Sequence, residues 1–248
     1  MDLGLTGKNA IVCAASSGLG RACATALARE GANVVINGRT VETLEETAAD
    51  IRSQAPDSEI RLVVGDVVEQ SVREELAGAF PEVDILINNA GGPPPGDFHD
   101  WKRDDWISAV DQNMLTAIEL IRLTIDGMAD RGFGRIVNIT SSAVRVPIPV
   151  IGMSNATRAG LSNFVFGLVP QYSSKGVTIN NLLPGPFDTA RLRNSKEITK
   201  HLTGNAVAGR VGDPAEMGAM CAFLCGQYAG YINGQNFLMD GGLYPGNF

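Results

Sequence analysis

A chain of 248 residues, 44% hydrophobic and 19% charged, is long enough for one α/β domain with a large core. Its formal charge of −7 argues against nucleic acid, which is bound by clustered Lys and Arg that displace counterions. No apolar run approaches the roughly 20 residues of a membrane span, and no basic region followed by an apolar block marks a secretory signal. Cys13, Cys23, Cys221 and Cys225 show no metal spacing with a histidine nearby. Cys221 and Cys225 are spaced to face each other on a helix, although buried thiols are the commoner explanation. The expectation is a cytoplasmic protein with no metal site.

Strand and helix signals then alternate, the signature of a parallel sheet covered on both faces. A first strand, Lys8 to Ala14, contains the apolar run Ala10-Ile11-Val12 and leads into Cys13-Ala14-Ala15-Ser16-Ser17-Gly18-Leu19-Gly20. A helix follows from Arg21 to Arg29, with Ala22, Ala26 and Leu27 at helical spacing, and stops at Gly31. A strand, a small-residue turn and a helix N-terminus in that order make an anion site. Unpaired N–H groups and the helix dipole attract negative charge, and glycine lets a phosphate approach closely.

Asn33 to Ile36 reads as the second strand and Val41 to Gln54 as an amphipathic helix with Leu44, Ala48 and Ile51 on one face. Ile60 to Val64 is the third strand, closed by Gly65-Asp66. A helix over Val68 to Phe80 leads to a fourth strand, Val83 to Ile87. Asn88 to Gly92 and Pro93-Pro94-Pro95-Gly96 form a loop. Long helices over Asp104 to Arg131 and Ile151 to Ser173 bracket the fifth strand, Arg135 to Ile139. Val177 to Leu182 is the sixth strand, Pro214 to Cys225 a helix, and Phe237 to Met239 the last strand. No repeat or linker interrupts the series, so residues 1–248 read as a single domain. The fold class expected is α/β, a doubly wound and mostly parallel sheet of about seven strands.

Such a sheet binds ligands outside the carboxyl ends of its strands. The polar and glycine-rich punctuation falls at those ends: Ser16 to Gly20, Gly38-Arg39, Asp66, Asn88 to Gly91, Ser141, and Pro184 onward. One crevice is expected to gather them.

Three segments resemble motifs of the short-chain dehydrogenases/reductases, the group that includes β-ketoacyl reductases. They are Asn88-Asn89-Ala90-Gly91, Pro184-Gly185-Pro186-Phe187-Asp188-Thr189, and Gly234 to Gly242 with its ending Asp240-Gly241-Gly242. The resemblance spans nearly the whole chain and implies a Rossmann-type fold, a nicotinamide dinucleotide and a homotetramer. It places Ser16, Ser17, Gly18, Leu19 and Gly20 at the cofactor pyrophosphate, and Asp66 and Val67 at the adenine. Asn89, Ala90 and Gly91 line the cofactor, and Pro184, Gly185 and Thr189 belong to the segment that folds over the nicotinamide. The family turn begins Thr-Gly, whereas this chain has Cys13-Ala14. Ala14 thus carries a Cβ where glycine permits positive φ or close approach.

Charge bears on the choice of cofactor. An acid about 20 residues beyond the glycines would bond the adenosine ribose and repel a 2′-phosphate. Gly38 stands there, followed by Arg39, whose guanidinium can pair a phosphate through two parallel bonds. NADP(H) is favoured over NAD(H); the plain alternative is a surface arginine opening a helix.

The resemblance also implies a tetrad of Asn, Ser, Tyr and Lys, with Tyr and Lys four residues apart. Asn113 and Ser141 match the first two. The Tyr position falls on Ser154 and the Lys position on Arg158, because Ala156-Thr157-Arg158-Ala159-Gly160-Leu161 aligns with the usual Ala-Ser-Lys-Ala-Gly-Leu. A phenol ionises near pH 10, whereas an aliphatic hydroxyl is a far weaker acid. Arg158 can keep electrostatic and ribose-binding roles but cannot relay a proton. Tyr172 and Lys175 are three apart, at the far end of the helix, so Tyr172 reads as a packing residue.

Three readings follow. The first is an NADP(H)-dependent oxidoreductase with an altered proton path, in which His99, or less readily His201, is a candidate donor. The second is a cofactor-binding sensor or partner subunit without turnover, and the third a fold kept for assembly. Intact Asn113, Ser141, Asn88 to Gly91 and Thr189 favour nucleotide binding over the third. A substrate-covering segment at about 187–210 carries Arg191, Arg193, Lys196 and Lys200. An anionic small-molecule substrate explains this basic cluster, as does a solvated lid helix. Trp101, Trp106 and the prolines either wall an apolar pocket or pack against a helix or a neighbouring subunit.

Overall fold

The computed structural model describes residues 1–194, 207–244 and 246. Seven parallel strands form one sheet in the order β3-β2-β1-β4-β5-β6-β7. They are β1 Asn9–Val12, β2 Asn33–Gly38, β3 Ile60–Val64, β4 Ile85–Asn88, β5 Gly134–Ile139, β6 Val177–Pro184 and β7 Asn236–Met239. Alternation along these strands divides the core. Ala10, Val12, Val34, Ile36, Ile85 and Ile87 point to one face, and Ile11, Val35, Leu86 and Ile136 to the other.

The first face is covered by α1 (Gly18–Arg29), α2 (Val41–Gln54) and α8 (Pro214–Cys225), which contribute Leu27, Leu44 and Met217. The second is covered by α3 (Gln70–Ala77), α5 (Thr116–Asp130) and α6 (Gly152–Tyr172) through Leu76, Leu120 and Leu161. The strand order reverses between β1 and β4, which opens a crevice at their carboxyl ends. All four cysteines are buried and free. No helix among the described residues is long and apolar enough to cross a membrane.

Several boundaries differ from the sequence reading by a few residues, and three of them have a plain physical cause. The helix expected over Asp104 to Arg131 is two helices, α4 (Arg103–Val110) and α5, joined by a π-helical turn at Asp111–Leu115. Hydrophobic periodicity runs through both, so one inserted residue left no mark in the pattern. The helix expected from Val68 starts at Gln70, because the Asp66 carboxylate accepts the Val68 amide at 3.2 Å and holds a turn there. Strand β4 starts at Ile85 instead of Val83, since Asp84 is drawn to the start of β1. Its carboxylate accepts the Asn9 amide at 3.1 Å and lies 3.7 Å from Lys8 Nζ.

A buried polar row crosses the second face. Asn88, Asn138, Asn181 and Asn236 stand opposite one another on β4 to β7. Each side-chain amide donates to the next carbonyl, Asn88 to Asn138 at 2.9 Å, Asn138 to Asn181 at 2.9 Å, and Asn181 to Asn236 at 2.8 Å. A one-residue slip of any strand would break this row, so it fixes register beside the crevice.

Candidate active site

The crevice is a cleft of about 700 Å³. At one end lies the turn from Ala14 to Gly20. Ala14 is the one non-glycine residue among the described residues with a positive φ, +46°, so the Cβ noted in the sequence is forced into left-handed backbone. Gly20 does not need a special φ but close approach: a Cβ there would overlap the Ala14 carbonyl and fall 2.8 Å from Asn89 Nδ2. Asn89 Nδ2 donates to the carbonyls of Cys13 and Ala14 at 3.4 and 3.3 Å, tying the loop after β4 to the turn. Ser17 caps α1 with extended backbone, and its side chain does not bond the first-turn amides. Those amides have no intrahelical acceptor and face a site suited to an anion. Burial pushes the Cys13 thiol up to about 12, so it is inert in this turn.

Gly38 ends β2 against this turn, where a Cβ would lie 3.1 Å from Ser16 Cβ and 3.2 Å from Leu44 Cδ1. An acid is therefore absent from a place that has little room for one. Arg39 is three-quarters exposed at the cleft edge, with Nη1 3.9 Å from Asp66 Oδ2. Val67 lines the cleft beside Asp66, and Asn89, Ala90 and Gly91 line its middle. Pro184, Gly185 and Thr189 form its other wall, with Thr189 beside Gly18, where a Cβ would meet Thr189 Cγ2 at 3.4 Å. Shape, unpaired amides and the excluded Cβ at Gly20 together fit a dinucleotide.

At the far end the cleft is lined by Ser141, Ser142, Ser154 and Arg158. Ser141 Oγ accepts the Ala143 amide at 3.1 Å. Ser154 and Arg158 lie one turn apart on α6, and Ser154 Oγ accepts from Arg158 Nε at 3.2 Å. Arg158 Nη1 donates to the carbonyls of Ile139 at 2.8 Å and Thr140 at 3.0 Å, and Nη2 to Ala90 at 3.1 Å. The guanidinium thereby clamps α6 to the ends of β4 and β5. Of its five donors, one N–H is left for a ligand, which narrows the ribose-binding role expected from sequence. Burial, aided by the charge of Arg191, lowers Arg158 to about 10, so it remains a cation at neutral pH.

Asn113 does not line this cleft. It sits in the π-helical turn, facing an adjoining cavity of about 20 Å³ that Arg158 and Thr116 also line. Both polar atoms of the Asn113 side chain, Thr116 Oγ1 and Asn88 Oδ1 are buried without a partner. That cavity has the size and polarity to hold one water.

His99 lies away from the cleft: its side chain is 87% exposed and Nδ1 is 2.8 Å from Asp97 Oδ1. Trp101 stacks edge-on with Trp106, centroids 5.9 Å apart, and packs between Gly96 and Gly152, so it braces the proline loop on α6. Tyr172 donates its hydroxyl to Asp126 at 2.8 Å, which pushes the phenol above its usual range. None of the four tyrosines lines the cleft. His201, Lys196 and Lys200 lie outside the described residues. The sequence reading missed Ser142, Ile148 and Ile151 as lining residues; they follow β5 in an irregular stretch with no periodic signal. No group of metal-ligating side chains exists among the described residues.

A doubly wound sheet whose glycine turn opens into one large cleft defines a Rossmann-type α/β protein. A family model described as enoyl-(acyl carrier protein) reductase matches residues 13–244, and the chain belongs to that family, within the short-chain dehydrogenases/reductases. The gluconate 5-dehydrogenase of Gluconobacter oxydans is 32% identical, over 96% of this chain and 95% of its own. The 3-oxoacyl-(acyl-carrier-protein) reductase of Vibrio cholerae is 31% identical, over 98% of this chain and 99% of its own. Among solved structures, YwfH, an NADPH-dependent reductase involved in bacilysin biosynthesis, matches with a TM-score of 0.90 at 27% identity, covering 98% of this chain and 100% of YwfH.

Proposed function

We propose that the protein is an NADP(H)-dependent oxidoreductase that moves hydride to or from a carbonyl or related group without a tyrosine acid. The observation that carries this reading is the pairing of Ser154 with Arg158 in a cleft that no tyrosine lines. The relatives are oxidoreductases, and one of them is an NADPH-dependent reductase.

The bound nicotinamide would supply the hydride. The first-turn amides at Gly18 to Gly20 would hold its pyrophosphate, Arg39 its 2′-phosphate, and Asn89 to Gly91 with Thr189 its nicotinamide half. Ser141 and Ser154 orient the substrate oxygen through their hydroxyls. The Arg158 cation stabilises negative charge that develops there, an effect strengthened by burial. The proton comes from water by way of these hydroxyls. Losing a positioned acid lowers the rate by about 10²–10⁴-fold, which leaves turnover measurable in a preorganised site.

A second reading, a nucleotide-binding module acting as a sensor or partner subunit, is favoured by the protein carbonyls that occupy Arg158. NADPH fluorescence and NADPH oxidation with a panel of ketones, imines and activated alkenes separate the two. Turnover supports the first; tight binding with no turnover supports the second; no binding of either nucleotide overturns both.

A further inference from the structure

The basic segment after β6 divides in two. Arg193, on the short helix α7 (Ala190–Asn194), pairs with Asp188 at 2.5 Å on the surface. Arg191 instead sits at the rim of the cleft, exposed to solvent but lining it. Its guanidinium makes long hydrogen bonds to the carbonyls of Gly92 at 3.3 Å and Pro93 at 3.4 Å, and packs so closely that a Cβ on Gly92 would lie 2.6 Å from Nη2. Partial desolvation against the cleft wall holds it below the usual arginine range, and its charge is felt at Arg158.

Two cations thus share one end of the cleft. Among its described lining residues the single carboxylate is Asp66, which lies beside Arg39 at the other end. A buried cation such as Arg158 beside a like charge with no counter-ion is costly, and an anionic ligand between the two relieves that cost. Arg158 has most of its donors engaged by protein, whereas Arg191 holds two weak acceptors and keeps donors for a ligand. A pyrophosphate is another anion within reach of such donors, but the Ser16 to Gly20 turn already answers to it. Arg191 is anchored past that point, at Gly92 and Pro93, near Ile148, Ile151 and Leu192, which give this end an apolar wall.

We propose that Arg191 is a specificity-determining residue that grips a carboxylate of the substrate, so that the protein acts on short oxo or hydroxy acids with an apolar body. This rests on the oxidoreductase reading above and names its substrate class. The test compares the wild type with Arg191→Met and Arg191→Lys. Each NADPH complex is titrated with 2- and 3-hydroxy acids and with their methyl esters, read by NADPH fluorescence; NADPH oxidation is measured with the matching oxo acids and esters. The wild type is expected to prefer a free acid over its ester by about 10-fold or more, the scale of a hydrogen bond to a charge. Arg191→Met should erase that preference while ester and NADPH affinities stay within about threefold, and Arg191→Lys should restore part of it. Equal handling of acid and ester by the wild type, or no binding of any acid, overturns the proposal. An equal loss of NADPH affinity in Arg191→Met overturns it too, and assigns the residue to pyrophosphate. An arginine-dependent preference for acids without turnover keeps the carboxylate site and removes the oxidoreductase reading.

Discussion

Ala14 holds left-handed backbone, φ +46°, at the point where β1 gives way to the turn. An L-residue pays about 1–2 kcal/mol for that conformation, whereas glycine does not but loses about 0.4–1 kcal/mol more entropy on folding. Ala14→Gly should therefore stabilise the protein by roughly 0.5–1 kcal/mol, measured by denaturant or thermal unfolding. A fall in stability would show that this Cβ contributes packing that outweighs its strain. Arg158 offers a second, opposite case. Its side chain satisfies the carbonyls of Ile139, Thr140 and Ala90, and Arg158→Met leaves them unpaired in a buried place. That variant should lose roughly 2–4 kcal/mol of stability, most of which Arg158→Lys should retain. Ser154→Tyr combined with Arg158→Lys should raise NADPH-dependent ketone reduction by about 10²-fold or more. No gain with cofactor still bound would mean that the pocket around α6 has also changed shape. Both the Ala14 strain and the Ser154–Arg158 pair were legible as residue types out of place. Which donors Arg158 keeps was not, because its acceptors are backbone carbonyls from strands far away in sequence.

The elements were read well where burial is periodic and poorly where polar side chains decide. Strands β1 to β7 announce themselves by apolar runs, and helices α1 and α2 by stripes at helical spacing. The π-helical turn at Asp111–Leu115 and the amide row from Asn88 to Asn236 had no such signal. An asparagine in a strand reads as a break in an apolar run until its partners on neighbouring strands are known. Asn138 is the strictest test of that row, being fully buried, accepting from Asn88 and donating to Asn181. Asn138→Ala should cost about 2–4 kcal/mol, since it strands a donor on one side and an acceptor on the other. Asn236, at the half-buried edge, has water within reach, so Asn236→Ala should cost less than half as much. Equal losses at both positions, by equilibrium unfolding, would argue that the row acts by packing alone.

At the scale of the molecule, the outer faces of the helices that carry the site are not fully covered. Leu115, Leu123 and Phe166 are 44%, 38% and 37% exposed, on the π-helical turn, α5 and α6. Strand β7 closes the sheet as an unpaired edge. We propose that these surfaces meet in a homotetramer, as the family resemblance implies, with four chains of 26.2 kDa giving about 105 kDa. Light scattering after size exclusion measures this directly. Because Phe166 shares α6 with Ser154 and Arg158, assembly would brace the same helix that positions the cleft's cations. Phe166→Asp should then split the assembly and lower the melting temperature in a way that depends on protein concentration, as linked association requires. NADPH should recover part of the loss, since a ligand held only by the folded chain stabilises it by mass action. A wild-type chain that elutes as a monomer, or a Phe166→Asp variant with unchanged mass, would remove assembly from the account and leave α6 held only by the Arg158 clamp.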